Sequence, residues 1–119
     1  GHAAGDAVLR ESAAIARLVL QARGVLGRLG GEEFAAVLPH TPLDGAAEIA
    51  EGVRAAVAGH TFLVQAAGGE RVPHQQTISI GVAALGDHTP DPADLLAAAD
   101  RLLYDSKHGG RNRVSVDRR

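Results

Sequence analysis

Arg28-Leu29-Gly30-Gly31-Glu32-Glu33-Phe34 lies between two short apolar runs, residues 25–29 and 34–38, and its reading decides the fold. Gly-Gly supplies the positive φ angles that a tight hairpin needs, so the stretch predicts strand, turn, strand. Upstream, Val8, Ser12, Ile15 and Val19 recur at helical spacing beside Leu9, Ala13, Ala16 and Leu20, which predicts an amphipathic helix over 7–21 that stops at Gly24. Downstream, Thr41-Pro42 reads as an N-cap followed by proline at the first helical position. The helix it opens carries Ala46, Ile49, Val53 and Val57 on one stripe and ends near Gly59. Residues 61–66 and 76–85 then read as strands around Gly68-Gly69, the second alternating Ile78, Ile80, Val82. Asp91-Pro92 opens a third helix that stops at Gly109-Gly110, and Val114-Ser115-Val116 reads as a last short strand. Strands mixed with helices in this order predict an α/β (α+β) sheet layered with helices. Such a sheet is expected to have a strand ahead of the first helix.

The bulk properties narrow the function. The 119 residues fit one domain, 1–119, with a single core that needs no staple or structural metal. With 45% hydrophobic and 22% charged residues the chain is globular in composition, which argues against disorder. Its aromatic residues are Phe34, Phe62 and Tyr104, and its net charge is −2, a poor composition for a nucleic-acid surface. An anion site in such a chain must be locally basic. Without cysteine there is no disulfide framework and no thiolate zinc site, which agrees with a reducing, cytoplasmic setting. No apolar run approaches membrane-spanning length, so no membrane contact is expected of this domain. The histidines at 40, 60, 74, 88 and 108 lack the short spacing of a zinc site.

The hairpin tip carries the chemistry. Adjacent side chains on a regular strand point to opposite faces, but a glycine turn relaxes the alternation, so that Glu32 and Glu33 can converge on one cation. Two hard carboxylates suit Mg²⁺, which is normally held by one or two carboxylates plus substrate phosphates. Neighbouring glycines let phosphate oxygens approach backbone amides. Taken alone, however, a Gly-Gly-Glu-Glu tip reads more readily as a solvated turn.

It does not stand alone. Arg28-x-Gly30-Gly31-Glu32-Glu33-Phe34 resembles the signature of the GGDEF family in its Glu variant. Gly1-His2-x-x-Gly5-Asp6-x-x-Leu9 is similar to the segment entering that family's first helix, and Leu38-Pro39 to its strand exit. Thr77-Ile78-Ser79-Ile80-Gly81-Val82 is similar to its core strand. Ala99-Asp100-x-x-Leu103-Tyr104-x-x-Lys107-x-x-Gly110-Arg111-Asn112 is similar to its C-terminal block.

The resemblance implies a diguanylate cyclase, which condenses two GTP into cyclic di-GMP with release of two pyrophosphates. It also implies Mg²⁺ or Mn²⁺, an antiparallel homodimer, and an upstream sensory or regulatory domain. The implied fold is a central, mainly antiparallel sheet flanked by helices, similar to nucleotidyl cyclases and polymerase palms. Glu32 matches the position that coordinates metal and accepts a proton, and Glu33 the second acidic position. Gly30 and Gly31 match the glycines that leave room for phosphates. Asp6 matches the guanine-reading carboxylate, and His2 a substrate-binding position; Lys107 and Arg111 match the basic pair that binds phosphate. Arg28 steadies either phosphate or the hairpin. On local grounds alone Asp6 is a first-turn acid and Lys107 a helix-end cation, each favourable to the helix dipole.

Two departures qualify the resemblance. In the family, a strand carrying an Asp, a Lys and an Asn precedes the Gly-His motif, whereas this sequence opens at Gly1. The 119 residues by themselves are accordingly expected to turn over weakly or not at all. Many members also carry an Arg-x-x-Asp product site where this chain reads Gln21-Ala22-Arg23-Gly24. Rival functions are a non-catalytic module that binds GTP or cyclic di-GMP for signalling, a purely structural dimerisation domain, and a cyclase making a monocyclic product.

Overall fold

The computed structural model describes residues 2–86 and 91–117. Helix α1 spans His2–Leu20 and runs into a single 3-10 turn at Gln21–Arg23. The Arg23 guanidinium folds back to donate to the Leu20 carbonyl at 3.2 Å and to that of Val19, closing the helix end. Strands β1 (Val25–Gly30) and β2 (Glu33–Val37) form the antiparallel hairpin read from the sequence, with Val25 opposite Val37 and Arg28 opposite Phe34. Helix α2 (Leu43–Ala58) follows, then strands β3 (Thr61–Gln65), β4 (Arg71–Gln75) and β5 (Ile80–Val82), helix α3 (Pro92–His108) and strand β6 (Val114–Val116). No helix among the described residues is long and apolar enough to cross a membrane.

The mixed architecture is the expected one, with antiparallel pairing in two of three ladders and helices packed on them. The strands nevertheless form three separate two-stranded ladders among the described residues: β1–β2, β3–β4, and the parallel pair β5–β6. The last is a β-α-β unit, because parallel neighbours need a long connection and α3 supplies it.

One strand boundary differs from the sequence reading. The partner of β3 is Arg71–Gln75 and not residues 76–85, with Thr61 opposite Gln75 and Leu63 opposite Pro73. A proline inside a run demotes it as a strand by pattern, yet an edge position tolerates it because no ladder donor is needed there. The turn is closed by Ala66 N–H donating to Glu70 O at 2.7 Å, with Gly69 at φ 89°. The cap of α2 also differs. Thr41 Oγ1 donates to Pro39 O at 3.0 Å instead of capping the helix, and Pro42 itself is the N-cap without a side-chain bond. Asp91, by contrast, caps α3 as expected, accepting from Ala93 N at 2.9 Å.

Small residues bring the helices close. Ala13, Ala16 and Leu20 of α1 are buried, as are Ala46, Val53 and Val57 of α2, and Val19 Cγ1 lies against Gly52. Phe62 on β3 is fully buried. Both α2 and α3 pack on β5 and β6. The tightest approach is at Gly81 of β5, where a Cβ would lie 2.3 Å from both the Ala99 carbonyl oxygen and the Leu103 nitrogen. Gly81→Ala must therefore displace helix backbone, and a loss of about 3 kcal/mol is expected. A fall in the urea midpoint at unchanged m-value checks it.

Candidate functional site

The two-residue turn Gly31-Glu32 joins β1 to β2. Gly30 (φ 149°) and Gly31 (φ 52°) take conformations that strain other residues, and a Cβ at either would meet open space. Arg28 reaches around this turn and donates through Nε to the Gly31 carbonyl at 2.9 Å, with Nη2 on the same oxygen. Of the two roles the sequence left open for Arg28, the contact made is with the hairpin. The clamp fixes the turn and so the two carboxylates that follow it.

Beside the turn lies a cleft of about 890 Å³. Asp6 from α1, Glu32 and Glu33 from the hairpin, and Lys107 and Arg111 from the end of α3 all line it. Residues more than 100 apart in sequence thus share one cavity, acidic on the hairpin side and basic on the α3 side. Gly30 and Gly31 adjoin the cleft through Glu32 without lining it. The side chain of His2 lies outside the described residues.

Lys107 Nζ sits 3.7 Å from Glu33 Oε2, joining the two sides. Both side chains are partly exposed, at 29% and 44%. Arg111 leaves α3 in the left-handed region at φ 61°, its N–H donating to Ser106 O at 2.9 Å. Among the described residues no three His, Cys, Asp or Glu side chains cluster to hold a metal ion. Glu32 and Glu33 both line the cleft, two carboxylates of the type that hold a hard cation together with water and phosphate.

His74 on β4 and the Gln76 beyond it also line the cleft, His74 Nε2 lying 3.0 Å from Gln76 Oε1. His74 falls between the two strands that the sequence predicts at 61–66 and 76–85, and no spacing rule relates it to the hairpin, so the sequence carries no signal for it. Tyr104 is 59% exposed and stacks on His108, ring centroids 3.7 Å apart, and does not line the cleft.

The sequence model of the GGDEF domain, described as a diguanylate cyclase domain, matches residues 1–113. A probable diguanylate cyclase of Escherichia coli, DgcE, is 40% identical over 116 residues, 98% of this chain and 10% of that protein. The active GGEEF domain of a diguanylate cyclase from Vibrio cholerae superposes with a TM-score of 0.78 at 32% identity, covering 100% of this chain and 72% of that one. The coiled coil and GGDEF domain of DgcB from Caulobacter crescentus, solved with cyclic di-GMP, gives a TM-score of 0.83 at 30% identity, covering 98% and 60%. The chain spans 10% of the length of DgcE and 31% of that of another curated relative, YhcK of Bacillus subtilis.

A partly exposed ion pair contributes at most about 1 kcal/mol. Glu33→Gln is therefore expected to lower unfolding free energy by less than about 1 kcal/mol, an effect that shrinks with added salt in urea titrations.

Proposed function

This chain belongs to the GGDEF family of diguanylate cyclase domains, and from that premise we propose that it condenses two molecules of GTP into cyclic di-GMP with release of two pyrophosphates. The observation that carries the reading is the single cleft lined by Asp6, Glu32, Glu33, Lys107 and Arg111. A guanine-reading carboxylate, a metal-binding acidic corner and a phosphate-binding basic pair are the parts such a reaction requires, and this chain supplies a residue for each.

In the proposed reaction the 3′-oxygen of one GTP attacks the α-phosphorus of the other. The bond from that phosphorus to the pyrophosphate oxygen breaks, and the 3′-hydroxyl proton leaves. Repeating the step in the opposite sense closes the ring. Asp6 accepts from guanine N1–H and N2–H₂, a pattern adenine does not offer. Lys107 and Arg111 hold phosphate, Arg by a fork and Lys as a point charge, where charge builds on the leaving pyrophosphate. Glu32 takes the 3′-hydroxyl proton, with Glu33 beside it. Glu32 and Glu33 would also hold Mg²⁺ or Mn²⁺, which supplies Lewis-acid polarisation of the phosphoryl oxygens and of the attacking hydroxyl. The Glu33–Lys107 contact pairs one charge from each wall, and a cation and a phosphate would replace each as the other's partner.

Each cleft lies on a single chain and the reaction joins two nucleotides, so two copies must face each other. We therefore propose a homodimer, antiparallel across the nucleotides, whose encounter an upstream sensory or regulatory domain would set.

Glu32→Ala in the full-length protein is expected to cut cyclic di-GMP formation by about two to three orders of magnitude, with GTP affinity changed by less than about threefold. Chromatographic product assay and calorimetric titration measure the two. Equal loss of both would instead assign Glu32 to binding. Because Gln21 and Gly24 stand where an Arg-x-x-Asp site would put its charges, inhibition by cyclic di-GMP is expected to be competitive with GTP in initial-rate kinetics.

A further inference from the structure

Between α3 and β6 the chain makes three consecutive residues in the left-handed region, Gly110 at φ 119°, Arg111 at 61° and Asn112 at 47°. Glycine adopts this region freely and asparagine tolerates it. Arginine does so at a cost of about 1–2 kcal/mol, so the turn needs support from outside. Two supports are local: Arg111 N–H donates to Ser106 O at 2.9 Å, and Arg113 Nε donates to Arg111 O at 3.2 Å. The third crosses the molecule. Arg54 on α2 donates through Nη1 to Asn112 Oδ1 at 2.7 Å, a contact between residues 58 apart in sequence.

The donor is itself fixed. Arg54 Nε and Nη2 donate to Glu51 Oε1 and Oε2 at 2.7 and 2.6 Å, a fork-to-fork pair one helical turn apart. That pairing occupies one edge of the guanidinium and aims the remaining nitrogen at the loop. Arg54 does not line the cleft, whereas Arg111, the neighbour of its partner, does.

We propose that Arg54, locked by Glu51, is a positioning residue that holds the left-handed turn through Asn112 and so presents Arg111 to the nucleotide phosphates. The inference rests on the reading of Arg111 as a phosphate ligand. It gives α2, which contributes nothing to the cleft wall, a hand in the affinity of the site.

The decisive measurement is the Kd for GTP with Mg²⁺ across a set of variants, alongside thermal unfolding. Asn112→Gly keeps the left-handed backbone and removes the acceptor, and it is expected to weaken binding about fivefold while lowering the melting temperature by no more than about 5 °C. Asn112→Asp keeps an oxygen for Arg54 and is expected to stay within about twofold of the parent. Arg54→Ala is expected to match Asn112→Gly, and the two together to be no worse than either, because they remove one interaction. Binding of Asn112→Gly at the parent's affinity, or additive losses in the double variant, overturns the proposal. If Arg54→Ala does not fold, Asn112→Gly still decides it. Arg111→Ala separates this result from a failure of the underlying reading: an unchanged Kd there removes Arg111 from the phosphate site altogether.

Discussion

The backbone of α3 rests on β5 at Gly81 with no side chain between them, since a Cβ there would collide with Ala99 O and Leu103 N. That contact fixes the depth at which α3 lies, and much else follows from it. At this depth Ser106 is fully buried, where its hydroxyl donates to Ile80 O at 2.8 Å and shares a second bond with Ser115 Oγ at 2.7 Å. One buried hydroxyl thereby ties the helix to both strands of the parallel pair, and a buried hydroxyl left unbonded would be costly. Lys107 follows Ser106 in the chain, and Arg111 hangs from the Ser106 carbonyl. The basic wall of the cleft is therefore set by a glycine and a serine that do not line it.

The two walls of the cleft are built on different principles. The acidic wall is local: a glycine turn closed by Arg28 places Glu32 and Glu33 within a few residues of everything that holds them. The basic wall is assembled at long range, from α3 packing on β5, from the Ser106 bonds and from the reach of Arg54 across to Asn112. A site of this kind tolerates change unequally. Substitutions far from the hairpin disturb the cations before they disturb the carboxylates.

The same division explains what was legible in the sequence. Gly30-Gly31 between two apolar runs specified the hairpin and its pairing, because turn chemistry and strand pattern agreed. The stripe Ala46, Ile49, Val53, Val57 and the Asp91 cap are likewise local signals; the structure buries Ala46, Val53 and Val57, leaves Ile49 half-buried, and bonds the cap as read. Pro73 masked β4, since a breaker inside a strand is tolerated only at an edge, and edges are a property of the assembled sheet. Thr41 had a cap's chemistry, but its hydroxyl found Pro39 O nearer. Asp6, Lys107 and Arg111 are legible only through family resemblance, not through any spacing. That they share a cleft with Glu32 is a fact of tertiary packing, and the parts no pattern flagged, His74 and the Arg54–Asn112 bond, are of the same kind.

Tyr104 is the only tyrosine of a chain without tryptophan, and it lies stacked on His108 at the end of α3 that delivers Lys107. The molecule consequently carries a single tyrosine fluorophore with an imidazole ring stacked against it. Emission from a stacked phenol depends on the ring beside it, so the stack turns the order of this helix end into an optical signal. Without any label, light emitted from one residue reports on the turn from which the cations of the cleft project.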